Sequence, residues 1–143
     1  MARNIIAVII GIVAAGVATY FVQSISNGLF PFPPELDTTD IEAMKEHVSN
    51  LPPLAFVIVM VAHFIGALCG ALVACIVAST HQFRIALFIG VFMLAMGIIN
   101  VLTIPHPAWF VIADIFMYLP GALLGYQLYL RFLPHHAAKN NIS

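Results

Sequence analysis

The chain has 143 residues, about one domain's length; 62% are hydrophobic, 8% are charged and the net charge is −1, with a mean hydropathy of +1.04. Soluble globular chains carry roughly 25% charged residues, so this composition excludes a soluble enzyme and a disordered tail. Five Lys and Arg in all give no surface that tracks phosphates, which excludes a nucleic-acid binder. The expected class is an all-α integral membrane protein.

Four apolar stretches reach the roughly 20 residues that a helix needs to cross a hydrocarbon core: 5–26, 53–78, 85–104 and 108–132. Only helices and closed barrels satisfy the backbone inside a bilayer, and strand alternation is missing. The expected architecture is therefore one four-transmembrane-helix bundle spanning residues 1–143. The first stretch follows Arg3 and has small residues at 14–18, as a secretory signal does. Its apolar run outlasts the core of such a signal, and it is read as a retained helix. Arg3, Arg84, Arg131 and Lys139 flank one side of the spans and Lys45 the other. By the positive-inside rule both termini are expected in the cytoplasm, in a plasma membrane of the bacterial inner-membrane kind.

Between the first two spans lies an insert, residues 30–52. It opens with Pro31-Phe32-Pro33-Pro34, which blocks helix. Thr39-Asp40-Ile41-Glu42 then reads as a capping box starting a short amphipathic helix, with Ile41, Met44 and Val48 on its apolar face. Glu35, Asp37, Asp40, Glu42 and Glu46 against the single Lys45 make the remainder acidic. That acidity describes either a solvated face or a lid or docking surface for a cationic partner.

Internal similarity is present in order: residues 6–11 parallel 85–90, 53–58 parallel 107–112, and 66–70 parallel 121–125 with one residue inserted. The pattern predicts two tandem helical hairpins in parallel pseudo-repeat, with the second and fourth spans near the pseudo-axis. Gly66, Gly70 and Ala74, continued by Ala62 and Ala78, recur every four residues, and Gly121 and Gly125 repeat the motif. Small-xxx-small stripes let backbones approach where lipid gives no hydrophobic drive. They are expected to bring the second and fourth spans together, within the chain or against another copy.

Asp114 and His63 are the carboxylate and the imidazole that fall well inside these spans. Ionisable groups are costly there and mark candidate sites. At 1.5 Å per residue, His63 lies roughly 15 Å and Asp114 roughly 10 Å below the boundary at which their spans start. At 100° per residue, Asp114 shares a face with Tyr118, Gly121 and Gly125, and His63 with Gly70 and Ala74. A His63–Asp114 interaction is expected, extended outward by Asn100 and His106, with Tyr20 and Gln23 contributing from the first span. Such a pair can tie helices, relay protons or bind a cation, and the residue pattern leaves these open.

No catalytic residue, metal-ligand set or cofactor is identified. His135-His136 read as a solvated tail, and His63 lacks a facing partner for haem. Cys69 and Cys75, six apart on a helix, point to different sides and read as small apolar fillers. Trp109, Tyr126 and Tyr129 are placed as interfacial anchors, and Pro120 as a kink. HExxH, GxSxG and P-loop motifs are lacking. Small multidrug-resistance transporters share the four-span size, but the membrane-embedded Glu of their first helix has no counterpart here.

Three functions remain. The short chain without a catalytic constellation favours an accessory or scaffolding subunit of a membrane assembly. The alternative is a small oligomeric transporter or channel using the polar site His63, Asp114, Asn100, His106 and Tyr118; a membrane-embedded enzyme ranks third. The expected partners are bilayer lipid and a second copy or a larger membrane complex.

Overall fold

A segment in lipid must close its backbone hydrogen bonds on itself, and the long apolar runs do so as helices. A computed structural model describes residues 1–104 and 106–133. The turn residue Pro105 and the tail residues His135, His136, Lys139 and Asn140 lie outside the described residues. The elements are α1 (Ala2–Leu29), α2 (Ile41–Ser49), α3 (Pro53–Val77), α4 (Gln82–Thr103) and α5 (Ala108–Phe132), with no strand among the described residues. All but α2 are long and apolar enough to cross a membrane, and they pack as a four-helix bundle of a multi-pass membrane protein.

The bundle has a terminal end, where α1 starts and α3 turns into α4, and an insert end, where α2 lies. α1 starts three residues earlier than its apolar run because Arg3 and Asn4 have partners at the terminal end. Arg3 Nε donates to the Val77 carbonyl at 2.7 Å. Asn4 Nδ2 donates to the Thr80 carbonyl and hydroxyl, and Asn4 Oδ1 accepts from the Ser79 amide and hydroxyl, each at 3.0 Å. Polar groups left open by the end of α3 are thus met from α1.

At the insert end the cap differs from the capping box. Asp40, not Thr39, is the N-cap of α2, and its carboxylate accepts from the amides of Glu42 and Ala43. Thr39 is held instead by Asp37, through its amide at 2.9 Å and its hydroxyl at 2.6 Å, and Glu42 pairs with Lys45 at 2.8 Å. A carboxylate accepts more strongly than a hydroxyl, so Asp40 takes the capping role. Val48 is buried and packs in an apolar cluster with Phe56 and Phe110, while Ile41, expected on the same face, is exposed.

α3 is the central helix, packed against α1, α5 and α4. The stripe of Gly66, Gly70 and Ala74 does not face α5, as the sequence suggested. It faces α1: a Cβ added at Gly70 would lie 2.7 Å from Ala15 Cβ and 2.8 Å from the Gly11 carbonyl, and one at Gly66 would overlap the Thr19 hydroxyl. Gly121 and Gly125 of α5 meet a neighbouring face of α3. A Cβ on Gly121 would come 2.6 Å from the Phe64 carbonyl, and one on Gly125 would overlap the Leu68 carbonyl. Both pairs of helices therefore meet through glycine at backbone contact. α4 packs on α5 and α3, whereas α1 and α5 share no comparable interface.

Two apolar clusters result. The terminal half is filled by Ala67, Ala71, Ala74, Cys75, Ala86, Ala122 and their neighbours. Tyr129 is fully buried in this cluster, not placed at the boundary as an anchor. The insert end holds the smaller Val48–Phe56–Phe110 cluster. α5 continues as helix through Pro120.

Gly70→Ala is expected to lower stability by about 1–3 kcal/mol, the range for overpacking, in thermal unfolding of the detergent-solubilised protein. Gly28→Ala, with nothing within 4 Å of its added methyl, should leave the midpoint unchanged or slightly raised. Equal losses at the two positions would rule out helix contact as the cause.

Candidate functional site

Between the two apolar clusters lies one polar layer. α3 carries His63 there, and α5 carries Asp114 and, one turn later on the same face, Tyr118. Asp114 is 2% exposed and Tyr118 is 1% exposed, so their polar atoms depend on one another and on His63. Asp114 Oδ1 lies 2.7 Å from His63 Nδ1, and Asp114 Oδ2 accepts from the Tyr118 hydroxyl at 2.8 Å. The Tyr118 oxygen also lies 2.9 Å from His63 Nδ1, and the two rings stack at 5.1 Å between centroids.

Hydrogen accounting gives the tautomer. The Tyr118 hydroxyl has one proton and gives it to Asp114, and a carboxylate only accepts. With Asp114 as the carboxylate, Nδ1 of His63 carries a ring proton and donates it, and in the neutral ring the lone pair is on Nε2. Gly97 of α4 makes room for this arrangement, because a Cβ there would overlap the Tyr118 hydroxyl.

The triad is not sealed. A cavity of about 300 Å³ runs between α1 and α4, two helices that barely touch each other. His63 and Tyr118 line it from below, Gly16, Thr19, Tyr20 and Gln23 from α1, and Met93, Met96, Gly97 and Asn100 from α4. A second cavity of about 210 Å³ at the insert end is walled by Phe30, Phe32, Phe56 and Phe110 and by Met44, His47 and Val48 of α2. Gln23 and Asn100 line both cavities, so the two adjoin and lead from the insert to His63.

His106 lines the insert-end cavity. Its Nδ1 lies 2.6 Å from the Ile104 carbonyl, and its ring stacks on Phe110. Burial pushes its pKa down, opposed in part by the bond to Ile104. Among the described residues, neither Asn100 nor His106 is hydrogen-bonded to the triad; they extend it as cavity wall, not as a bonded chain. Tyr20 and Gln23 stand where the sequence placed them, facing the same space. Gly66, Gly70, Ala74, Gly121 and Gly125 set the helix spacing around the layer and leave the cavity to other residues.

Sequence reasoning missed Thr19, Met93, Met96 and Gly97. Thr19 donates weakly to the Ala62 carbonyl at 3.4 Å. The available signal was the spacing of Met93, Met96, Gly97 and Asn100, which recur as one helical face. Cys69 and Cys75 are free thiols. Among the described residues, no group of three or more His, Cys, Asp and Glu is placed to hold a metal ion. No protein-family model, curated protein or solved structure matches the chain, and the functional reading rests on the chemistry of this layer.

His63→Ala and Asp114→Asn should each lower the unfolding midpoint, with the double variant losing less than the sum by about 0.5–3 kcal/mol, as coupled residues do; additive losses would exclude a working contact. His106 supplies a pH test. With its folded pKa below the unfolded value of about 6.5, the unfolded state binds more protons as pH falls, so stability is full above that value and declines below it. Thermal unfolding should therefore show a midpoint that drops between neutral and mildly acidic pH, and His106→Phe should flatten that slope.

Proposed function

We propose that this chain is a small membrane transporter or channel for a cation, with the His63–Asp114–Tyr118 layer as its binding site. The observation that carries the reading is the position of the layer: a bilayer-embedded carboxylate, fully bonded to His63 and Tyr118, lies behind a cavity that leads to the acidic insert. A carboxylate at that depth favours positive charge beside it. The cavity walls carry amides, hydroxyls and imidazoles and no Lys or Arg, so a cation meets no opposing charge. Exposed Glu35, Asp37, Asp40 and Glu46 on the insert raise the cation concentration at the open end.

In this reading both termini face the cytoplasm of a bacterial inner membrane, with the insert outside, as the Lys and Arg count supports. The tandem hairpins derive from a duplicated unit. In it the α1–α3 pair corresponds to α4–α5, the small-xxx-small stripes serve as packing seams, and the insert is an addition to one copy that walls the cavity at its end.

A second reading, an accessory or scaffolding subunit of a larger membrane assembly or a homo-oligomer, is favoured by α1. It is the least buried of the four long helices, and Ile5, Ile9, Val13 and Val17 are exposed along it. Native mass spectrometry after gentle extraction separates the two, since a stable hetero-complex carries the subunit reading.

The transport reading is tested in vesicles containing the purified protein and mixed monovalent cations, with a voltage-sensitive dye reporting dissipation of an imposed potential. Asp114→Asn should reduce dissipation to the level of protein-free vesicles while circular dichroism keeps its helical signal. Dissipation equal to wild type in that variant would reject Asp114 as part of the path.

A further inference from the structure

The triad leaves one ring-nitrogen lone pair uncommitted, and the cavity beside it supplies two soft thioether donors. With Asp114 as the carboxylate and the ring neutral, the His63 lone pair is on Nε2, and among the described residues no hydrogen bond engages that nitrogen. His63 lines the α1–α4 cavity, and Met93 and Met96, one helical turn apart on α4, line it too. Thioether sulfur is polarizable and neutral, and the three rotatable bonds of methionine let it adapt to a guest. Thioether and imidazole donors together suit Cu(I), whereas Mg, Ca and Mn call for oxygen donors.

His63 is also prepared in the way metal-binding histidines are. Its second ring nitrogen donates to a carboxylate, which fixes the tautomer and the ring orientation and raises the basicity of the ligating nitrogen. Tyr118 in turn holds that carboxylate at 2.8 Å. The charges balance as well: three neutral donors leave a monovalent ion with its full positive charge, and Asp114 supplies one negative charge a single hydrogen bond away. The oxygen donors lining the cavity are the hydroxyls of Thr19, Tyr20 and Tyr118 and the amides of Gln23 and Asn100, with no carboxylate among them, whereas hard divalent ions rely on carboxylate oxygens.

The geometry points to His63 Nε2, Met93 Sδ and Met96 Sδ as the donors of a soft monovalent cation site, with Cu(I) as the ion this set selects. The inference rests on the cation-site reading above and narrows it to one chemical class.

The test uses the full-length, untagged protein in lipid nanodiscs, dialysed to equilibrium against Ag(I), a closed-shell stand-in for Cu(I) that resists air oxidation. One Ag(I) should be retained per chain. Met93→Leu with Met96→Leu conserves volume and should weaken retention by more than about a hundredfold, beyond the 10–100-fold typical of losing an outer-shell partner. Tyr118→Phe should fall within that outer-shell range. Cys69→Ala, and His135→Ala with His136→Ala, should retain Ag(I) as wild type does. Folded wild-type protein that retains no Ag(I), or a double methionine variant that binds as well as wild type, would overturn the site. The vesicle measurement is independent of this one. Flux without Ag(I) retention rejects the soft-ion site and leaves cation transport standing, whereas retention without flux, with Ag(I) included among the vesicle cations, keeps the site and rejects transport.

Discussion

A carboxylate withdrawn from water inside a lipid-spanning helix has to find its hydrogen-bond donors in protein, and the arrangement around Asp114 follows from that demand. Burying such a group without donors costs several kcal/mol, so the register of α5 against α3 is fixed where His63 and Asp114 come level. The same α5 face that presents Asp114 and Tyr118 continues, one and two turns on, as Gly121 and Gly125. Those glycines seat against the Phe64 and Leu68 carbonyls of α3. A slip of one residue along this interface would strand the carboxylate and drive side chains into backbone at once. Polar satisfaction and close packing therefore specify one geometry together.

Much of this was legible in the residues, for physical reasons. Span length and apolarity are bulk properties, so four helices could be read directly, and only their ends moved. α1 gained its first turn because Arg3 and Asn4 bond to residues more than seventy positions away, which no local pattern carries. His63 and Asp114 stood out because charged groups are rare in lipid, and counting rise and rotation brought them together.

The stripes were harder. α3 has small residues on two faces, Gly66, Gly70 and Ala74 on one and Ala67 and Ala71 on the other. Helical periodicity defines a face without naming its neighbour, so the first stripe was assigned to α5 when it belongs to α1. Met93 and Met96 share a helical face with Gly97 and Asn100, but an apolar residue in an apolar span is unremarkable until the space in front of it is known. The cap of α2 turned on competition between neighbouring oxygens: Asp40 accepts from the free amides of Glu42 and Ala43, and Asp37 holds the Thr39 amide and hydroxyl.

The uneven packing along the bundle has an electrical consequence. The terminal half is closed by methyl and carbonyl contacts at Gly11, Gly70 and Gly125, and the insert half is divided by two adjoining cavities. Where such cavities hold water, electrolyte reaches as far as they do, and a transmembrane voltage then falls mainly across the closed half. The work is about 2.3 kcal/mol per elementary charge per 100 mV. In the transport reading proposed above, a charge arriving at His63 from the insert side would have done almost none of it, and nearly all would remain for the half packed by Ala67 and Ala71. In that reading voltage sensitivity would belong to parting the alanine-packed half, while occupancy of the polar layer would respond to concentration alone.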